Sequence, residues 1–253
     1  MLRAFEEKLW IPEEVDISNG KIDLIVHLHL GGGIGPKIAQ MKLGAVFNFS
    51  IHDESGSSHG KSNQYGPPFR DNPEKFGSML ERILTNCRYH LASPDLSIGR
   101  LAVSSFSAGY ASLREILQVD EYYSRIETII ASDTIYADFA RDGLRMPDPD
   151  QMKAFTRFAT DAAKGLKTFV ATCYPYRTKS YAGTADCLEF LIRKCGGEWK
   201  NSEEEIESLA VEKSHHDEGL HLYHFAKDGA SHMSLDRVIP QLLKKHFRVS
   251  TRG

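Results

Sequence analysis

The sequence is short of the features that would mark a specialised class. Its 253 residues include only four cysteines, Cys87, Cys173, Cys187 and Cys195, and no two form a C-x-x-C pair. That spacing argues against zinc and redox motifs and leaves reduced, mostly buried thiols as the expectation. No apolar run approaches the roughly 20 residues of a membrane span. Charge of one sign is also scarce: the net charge is −3, and the longest block of like charge is Glu203-Glu204-Glu205. Neither nucleic acid nor an anionic membrane is expected as the main partner. The first eight residues, Met1 to Lys8, carry acids where a signal peptide needs an uninterrupted apolar region. The expectation is a cytoplasmic chain, or an exported one given without its leader. There is no internal repeat and no low-complexity linker. The run Gly31-Gly32-Gly33-Ile34-Gly35-Pro36 is neither G-x-G-x-x-G nor a P-loop, so nucleotide binding is not expected there.

What is present is the material of a large core. Apolar residues make up 41% of the chain and charged residues 26%, which suits one α/β domain spanning residues 1–253. Strand-like and helix-like segments alternate from residue 22 onward. Strands are expected at Ile22 to Leu30, Leu43 to Phe49, Arg100 to Ser105, Thr128 to Ser132, Thr168 to Cys173 and Leu220 to Phe225, with a short edge strand at Lys8 to Pro12. Helical spacing of apolar residues predicts helices over Pro73 to Tyr89, Ala111 to Gln118, Pro149 to Ala163, Thr184 to Lys194 and Leu235 to His246. Residues 198–219 are polar, with a short helix expected around Ile206 to Val211. Ser50 to Pro68 reads as a long polar loop. The alternation implies a doubly wound, mostly parallel sheet with helices on both faces.

In such a sheet, ligands bind beyond the carboxyl ends of the strands. Candidate catalytic residues fall there. Leu101-Ala102-Val103 leads into the turn Ser105-Phe106-Ser107-Ala108-Gly109, and a helical run leads out. A strand, a tight turn with small residues two before and two after a serine, and a helix make the setting of a nucleophile elbow. Asp133 ends the next strand, and His232 follows the last. A serine hydroxyl is a weak nucleophile near neutrality. It needs a histidine base, an acid to orient that histidine, and backbone N–H groups aimed at the developing oxyanion.

Four segments resemble the α/β-hydrolase superfamily of serine esterases, lipases and acyl hydrolases. His27-Leu28-His29-Leu30-Gly31-Gly32 resembles the strand ending in an oxyanion turn, with Leu30 where glycine is common. Ser105 to Gly109 resembles the elbow, with Ser105 in place of its first glycine. Ile129 to Asp133 resembles the strand after the elbow helix, and Gly229-Ala230-Ser231-His232-Met233 the histidine loop. Together they span about residues 20–247. The order Ser…Asp…His matches that arrangement.

The resemblance implies Ser107 as nucleophile, His232 as base, and an oxyanion hole from the backbone at Ala108 and at Leu30–Gly31. The acid has two candidates. The family usually places it after the strand that ends at Cys173, where the first carboxylate is Asp186, near a predicted helix start that an acid commonly serves. A minority variant places it one strand earlier, at Asp133, which is the residue chosen here. His29 is expected to hydrogen-bond within the oxyanion loop. Tyr174, Tyr176, Arg177 and Tyr181 follow a strand end and could line a substrate pocket. His215, His216, His221 and His224 lack metal-ligand spacing and read as a solvated loop and strand.

The expected activity is acyl-enzyme hydrolysis of an ester, thioester or amide in a small-molecule or peptide-like acyl substrate. No metal or organic cofactor is implied. A lid, if there is one, is small or formed by residues 50–68. The alternative is a non-catalytic binding protein on the same fold.

Overall fold

Apolar residues on both faces of the central strands let them be buried between two helical layers. The structure, a computed structural model, describes residues 5–29, 31–51, 62–141 and 145–247. In chain order the elements are β1 (Phe5–Trp10), β2 (Lys21–Leu28), α1 (Gly31–Ala39), β3 (Ala45–Ile51), α2 (Ser62–Tyr65), α3 (Pro67–Arg70), α4 (Lys75–His90), β4 (Ser97–Phe106), α5 (Tyr110–Ile116) and α6 (Asp120–Arg125). There follow β5 (Ile126–Ser132), α7 (Pro149–Ala162), β6 (Thr168–Cys173), α8 (Thr184–Cys195), β7 (Lys200–Asn201), β8 (Glu205–Ile206), β9 (Leu209–Asp217), β10 (Leu220–Phe225) and α9 (Val238–His246).

Among the described residues the strands form one sheet in the order β1-β3-β2-β4-β5-β6-β10-β9-β7, with β8 paired to β9. Strands β3, β2, β4, β5, β6 and β10 run parallel. The two margins, β1 against β3 and β9 against β10, are antiparallel. One face packs against α4 to α8 through residues such as Leu24, Val26, Phe76, Phe155 and Leu191. The other packs against α1 and α9 through Ile25, Ile34, Val46, Ile130 and Ile239. The sheet is thus mostly parallel and doubly wound.

Several stretches differ from the sequence reading. Of the expected loop Ser50 to Pro68, Ser50 and Ile51 belong to β3, Ser62–Tyr65 form α2 and Pro67 opens α3, while residues 52–61 lie outside the described residues. The glycine run expected as a turn is a helix, α1, with Pro36 inside it. Glycine and proline are the poorest helix formers, but Gly35 is needed here: a Cβ on it would lie 2.2 Å from the Trp10 ring. In place of the helix expected at Ile206 to Val211, the chain runs through Ile206 in β8 and Val211 in β9. Glu218-Gly219 then forms a two-residue hairpin into β10. Finally, α9 starts three residues later than expected, after a 3₁₀ turn over His232–Ser234.

Candidate active site

β4 delivers Ser107 by running straight to Phe106 and then turning sharply. Ser107 sits at φ 49°, in the left-handed region, which costs a non-glycine residue about 1–2 kcal/mol. A 3₁₀ turn over Ser107–Gly109 passes directly into α5. Glycine is required at 109, because a Cβ there would lie 2.4 Å from the Leu28 carbonyl oxygen and 2.7 Å from Ser105 Oγ. Position 105 is occupied for a different reason than smallness alone. Ser105 Oγ lies 2.9 Å from Thr134 Oγ1, and Thr134 Oγ1 donates to the Ser107 carbonyl at 2.8 Å. The single threonine proton is used in the second bond, so Ser105 donates in the first.

β5 delivers Asp133 in the same way. It too is left-handed, at φ 40°. Its N–H donates to the Thr172 carbonyl at 2.9 Å, and the Tyr136 hydroxyl donates to its carbonyl at 2.8 Å. The residue after Asp133 is Thr134, so the acid's turn and the serine's turn are tied to each other. His232 comes from the turn after β10. Ser132 Oγ at the end of β5 donates to the Leu235 carbonyl at 2.5 Å and pins that turn to the sheet. The Phe106 ring stacks on the imidazole with centroids 4.6 Å apart.

The result is a continuous relay. Asp133 Oδ2 is 2.6 Å from His232 Nδ1, and His232 Nε2 is 2.8 Å from Ser107 Oγ. The aspartate is buried, and the histidine is about one third exposed. A carboxylate only accepts, so it holds the imidazole proton on Nδ1 and leaves Nε2 as acceptor for the serine hydroxyl. Asp186 is placed elsewhere. Its Oδ2 accepts from the Gly183 N–H at 3.3 Å at the start of α8, and the Arg145 and Arg177 guanidinium groups lie 3.6 and 3.7 Å from its two oxygens.

Of the oxyanion candidates, Ala108 follows Ser107 and is buried, and Gly31 opens α1. Leu30 lies outside the described residues. His29, expected to hydrogen-bond within the oxyanion loop, sits at φ 78°. Its Nδ1 lies 2.8 Å from the Tyr65 hydroxyl, which accepts from the Ile51 N–H at 2.9 Å. Burial pushes the Tyr65 phenol up to about 12, so it stays protonated.

Ser107, His29 and His232 open into a cavity of about 1200 Å³. Tyr174, Tyr176 and Tyr181 line it, as do Tyr110 and Tyr136, Met233, Arg70 and Arg114. Arg177 is not among the lining residues; it is turned to Asp186. Sequence reasoning passed over Thr134, Tyr65, Tyr110 and Tyr136. The position of Thr134 one residue past a strand-end acid was the available signal for it. The others depend on which loops meet in space.

No protein-family model matches the sequence, and no curated protein does. Solved structures do. The siderophore hydrolase EstB from Aspergillus nidulans superposes with a TM-score of 0.55 at 12% identity, covering 98% of this chain and 91% of that one. LpqC, a poly(3-hydroxybutyrate) depolymerase from Bordetella parapertussis, gives 0.52 at 11% identity, covering 99% and 88%. With its parallel sheet, flanking helices and strand order, the chain has the α/β-hydrolase fold.

Proposed function

We propose that the protein is a serine hydrolase that cleaves an ester, thioester or amide through an acyl-enzyme. The observation that carries this reading is the relay from Asp133 through His232 to Ser107, ending at the wall of an open cavity. Ser107 Oγ attacks the substrate carbonyl while His232 Nε2 takes its proton. Asp133 holds the imidazole in the tautomer that can do so and stabilises the imidazolium. The Ala108 N–H, with the backbone at Leu30–Gly31, stabilises the oxyanion. His232 then gives the proton to the leaving group, and water, activated by the same nitrogen, releases the acyl group. Tyr174, Tyr176 and Tyr181 contact the substrate. The chemistry calls on no metal or organic cofactor.

A fluorophosphonate probe tests this directly. The wild-type protein is expected to be labelled once, at Ser107, and Ser107→Ala to be unlabelled. Asp133→Asn should lower turnover by about 10⁴ through the wrong imidazole tautomer, while Asp186→Asn should leave turnover nearly unchanged. A folded wild-type protein that resists the probe and hydrolyses no ester would favour the binding-protein reading. Loss of turnover in Asp186→Asn with Asp133→Asn active would overturn the acid assignment.

A further inference from the structure

The cavity wall beside Asp133 and His232 is built from aromatic rings. Tyr110 and Tyr136 meet edge to face, with centroids 5.1 Å apart at 75°. Tyr136 meets Tyr181 at 5.8 Å and 82°. Tyr174 and Tyr176 stack at 5.7 Å and 14°. All five line the one cavity that holds Ser107. This wall is also where the molecule exposes apolar surface. Among the described residues, five large hydrophobic side chains are exposed, and three of them, Tyr176, Tyr181 and Met233, line this cavity. Exposed apolar side chains concentrated at one concave site, rather than scattered singly, mark a binding surface.

From this wall we infer that the protein's substrates are esters carrying an aromatic ring, held against Tyr176, Tyr181 and Met233. The inference rests on the serine hydrolase reading for the reaction, but its recognition element is separate. Rings already set edge to face leave further faces and edges to which another ring adds in the same geometry. Met233 supplies a polarizable sulfur that packs well against a ring. The hydroxyl of Tyr136 is committed to the Asp133 carbonyl, so this ring offers its face and edge more than its polar end.

The phenols of Tyr174 and Tyr181 are also held neutral. Burial, then the Asp133 charge, raises Tyr174 to about 12, and burial, then Tyr176 and Asp133, moves Tyr181 in the same direction.

Two matched pairs of esters test the inference: methyl 3-phenylpropanoate against methyl 3-cyclohexylpropanoate, and benzyl acetate against cyclohexylmethyl acetate. Members of a pair share reacting groups and have nearly the same bulk. In at least one pair the aromatic ester should have kcat/KM about five- to tenfold higher, the range expected of ring–ring geometry beyond area burial. The double variant Tyr176→Leu/Tyr181→Leu keeps apolar area but removes the π faces, and it should bring the aromatic ester down to its alicyclic partner. Binding of the same esters to Ser107→Ala, followed by saturation-transfer NMR, reads recognition without turnover.

Equal rates within both pairs in a protein that takes the fluorophosphonate label would overturn the aromatic inference and leave the hydrolase standing. A protein that takes no label yet binds the phenyl ester in preference would do the reverse. A preference that survives the double variant would also overturn it.

Discussion

At the residue scale, Ser107 and Asp133 sit on strained backbone, and one hydroxyl ties their two turns together. Ser107 and Asp133 both have positive φ, and such residues persist only where their surroundings over-determine them. Thr134 does this by accepting from Ser105 and donating to the Ser107 carbonyl. Ser105, where the resemblance leads one to expect glycine, is therefore part of the clasp and not a tolerated departure. Thr134→Val keeps the shape and removes the clasp. It leaves the buried Ser105 hydroxyl unpaired, a loss of about 1–3 kcal/mol, and frees the elbow to relax. The expected outcome is kcat lowered about tenfold with KM little changed, and recovery in Thr134→Ser. A merely structural role predicts a lowered melting temperature with kcat per folded molecule unaltered, and that result would remove Thr134 from the positioning of the nucleophile.

At the element scale, what could be read from the chain was what repeats. The apolar periods gave the parallel strands and the long helices, because burial on two faces or on one stripe leaves a local pattern. That was enough to put Ser107, Asp133 and His232 at strand ends. The glycine-rich α1 was not readable, because glycine and proline are the poorest helix formers and the reason for Gly35, the close Trp10 ring, comes from a distant strand. The antiparallel margin was not readable either, because β9 is half exposed and its polar residues mimic a loop. The tyrosine wall is assembled from the residues after β4, β5 and β6, and no single stretch announces it.

Gly219 shows how tightly that margin is joined. Its N–H donates to the Ala162 carbonyl at 3.0 Å, its carbonyl accepts from the Phe169 N–H at 2.8 Å, and a Cβ would lie 2.0 Å from the Lys167 carbonyl oxygen. Gly219→Ala should therefore destabilise by about 1–3 kcal/mol, as overpacking does, and hydrogen exchange should quicken first in β9 and β10. An unchanged urea midpoint would show that the hairpin adapts.

At the scale of the whole molecule, the fold is closed over histidines that must stay neutral. His27 is fully buried in β2, with Nδ1 2.8 Å from Ser104 Oγ and no partner for Nε2. Burial pulls it down to about 4. Where α9 packs on β10, the His221 and His246 rings lie 4.3 Å apart. Burial, then the neighbouring His216 and Lys245, take His221 to about 4; burial, then His221, Lys245 and His216, take His246 to about 3. In the unfolded chain each would titrate near 6.5. Below that value the unfolded state takes up protons that the folded state refuses, so stability is full above about pH 6.5 and declines down to about pH 4, where His27 and His221 begin to charge in place.

For His27 alone, a displacement from 6.5 to about 4 corresponds to about 3 kcal/mol. Urea unfolding between pH 7.5 and 4.5 should show this decline. His27→Gln keeps a hydrogen-bonding group beside Ser104 but cannot titrate, so its slope should be shallower by one proton. A wild-type unfolding free energy that stays flat from pH 7 to 5, or a slope that His27→Gln leaves untouched, would mean that these imidazoles find water or a proton without opening the fold.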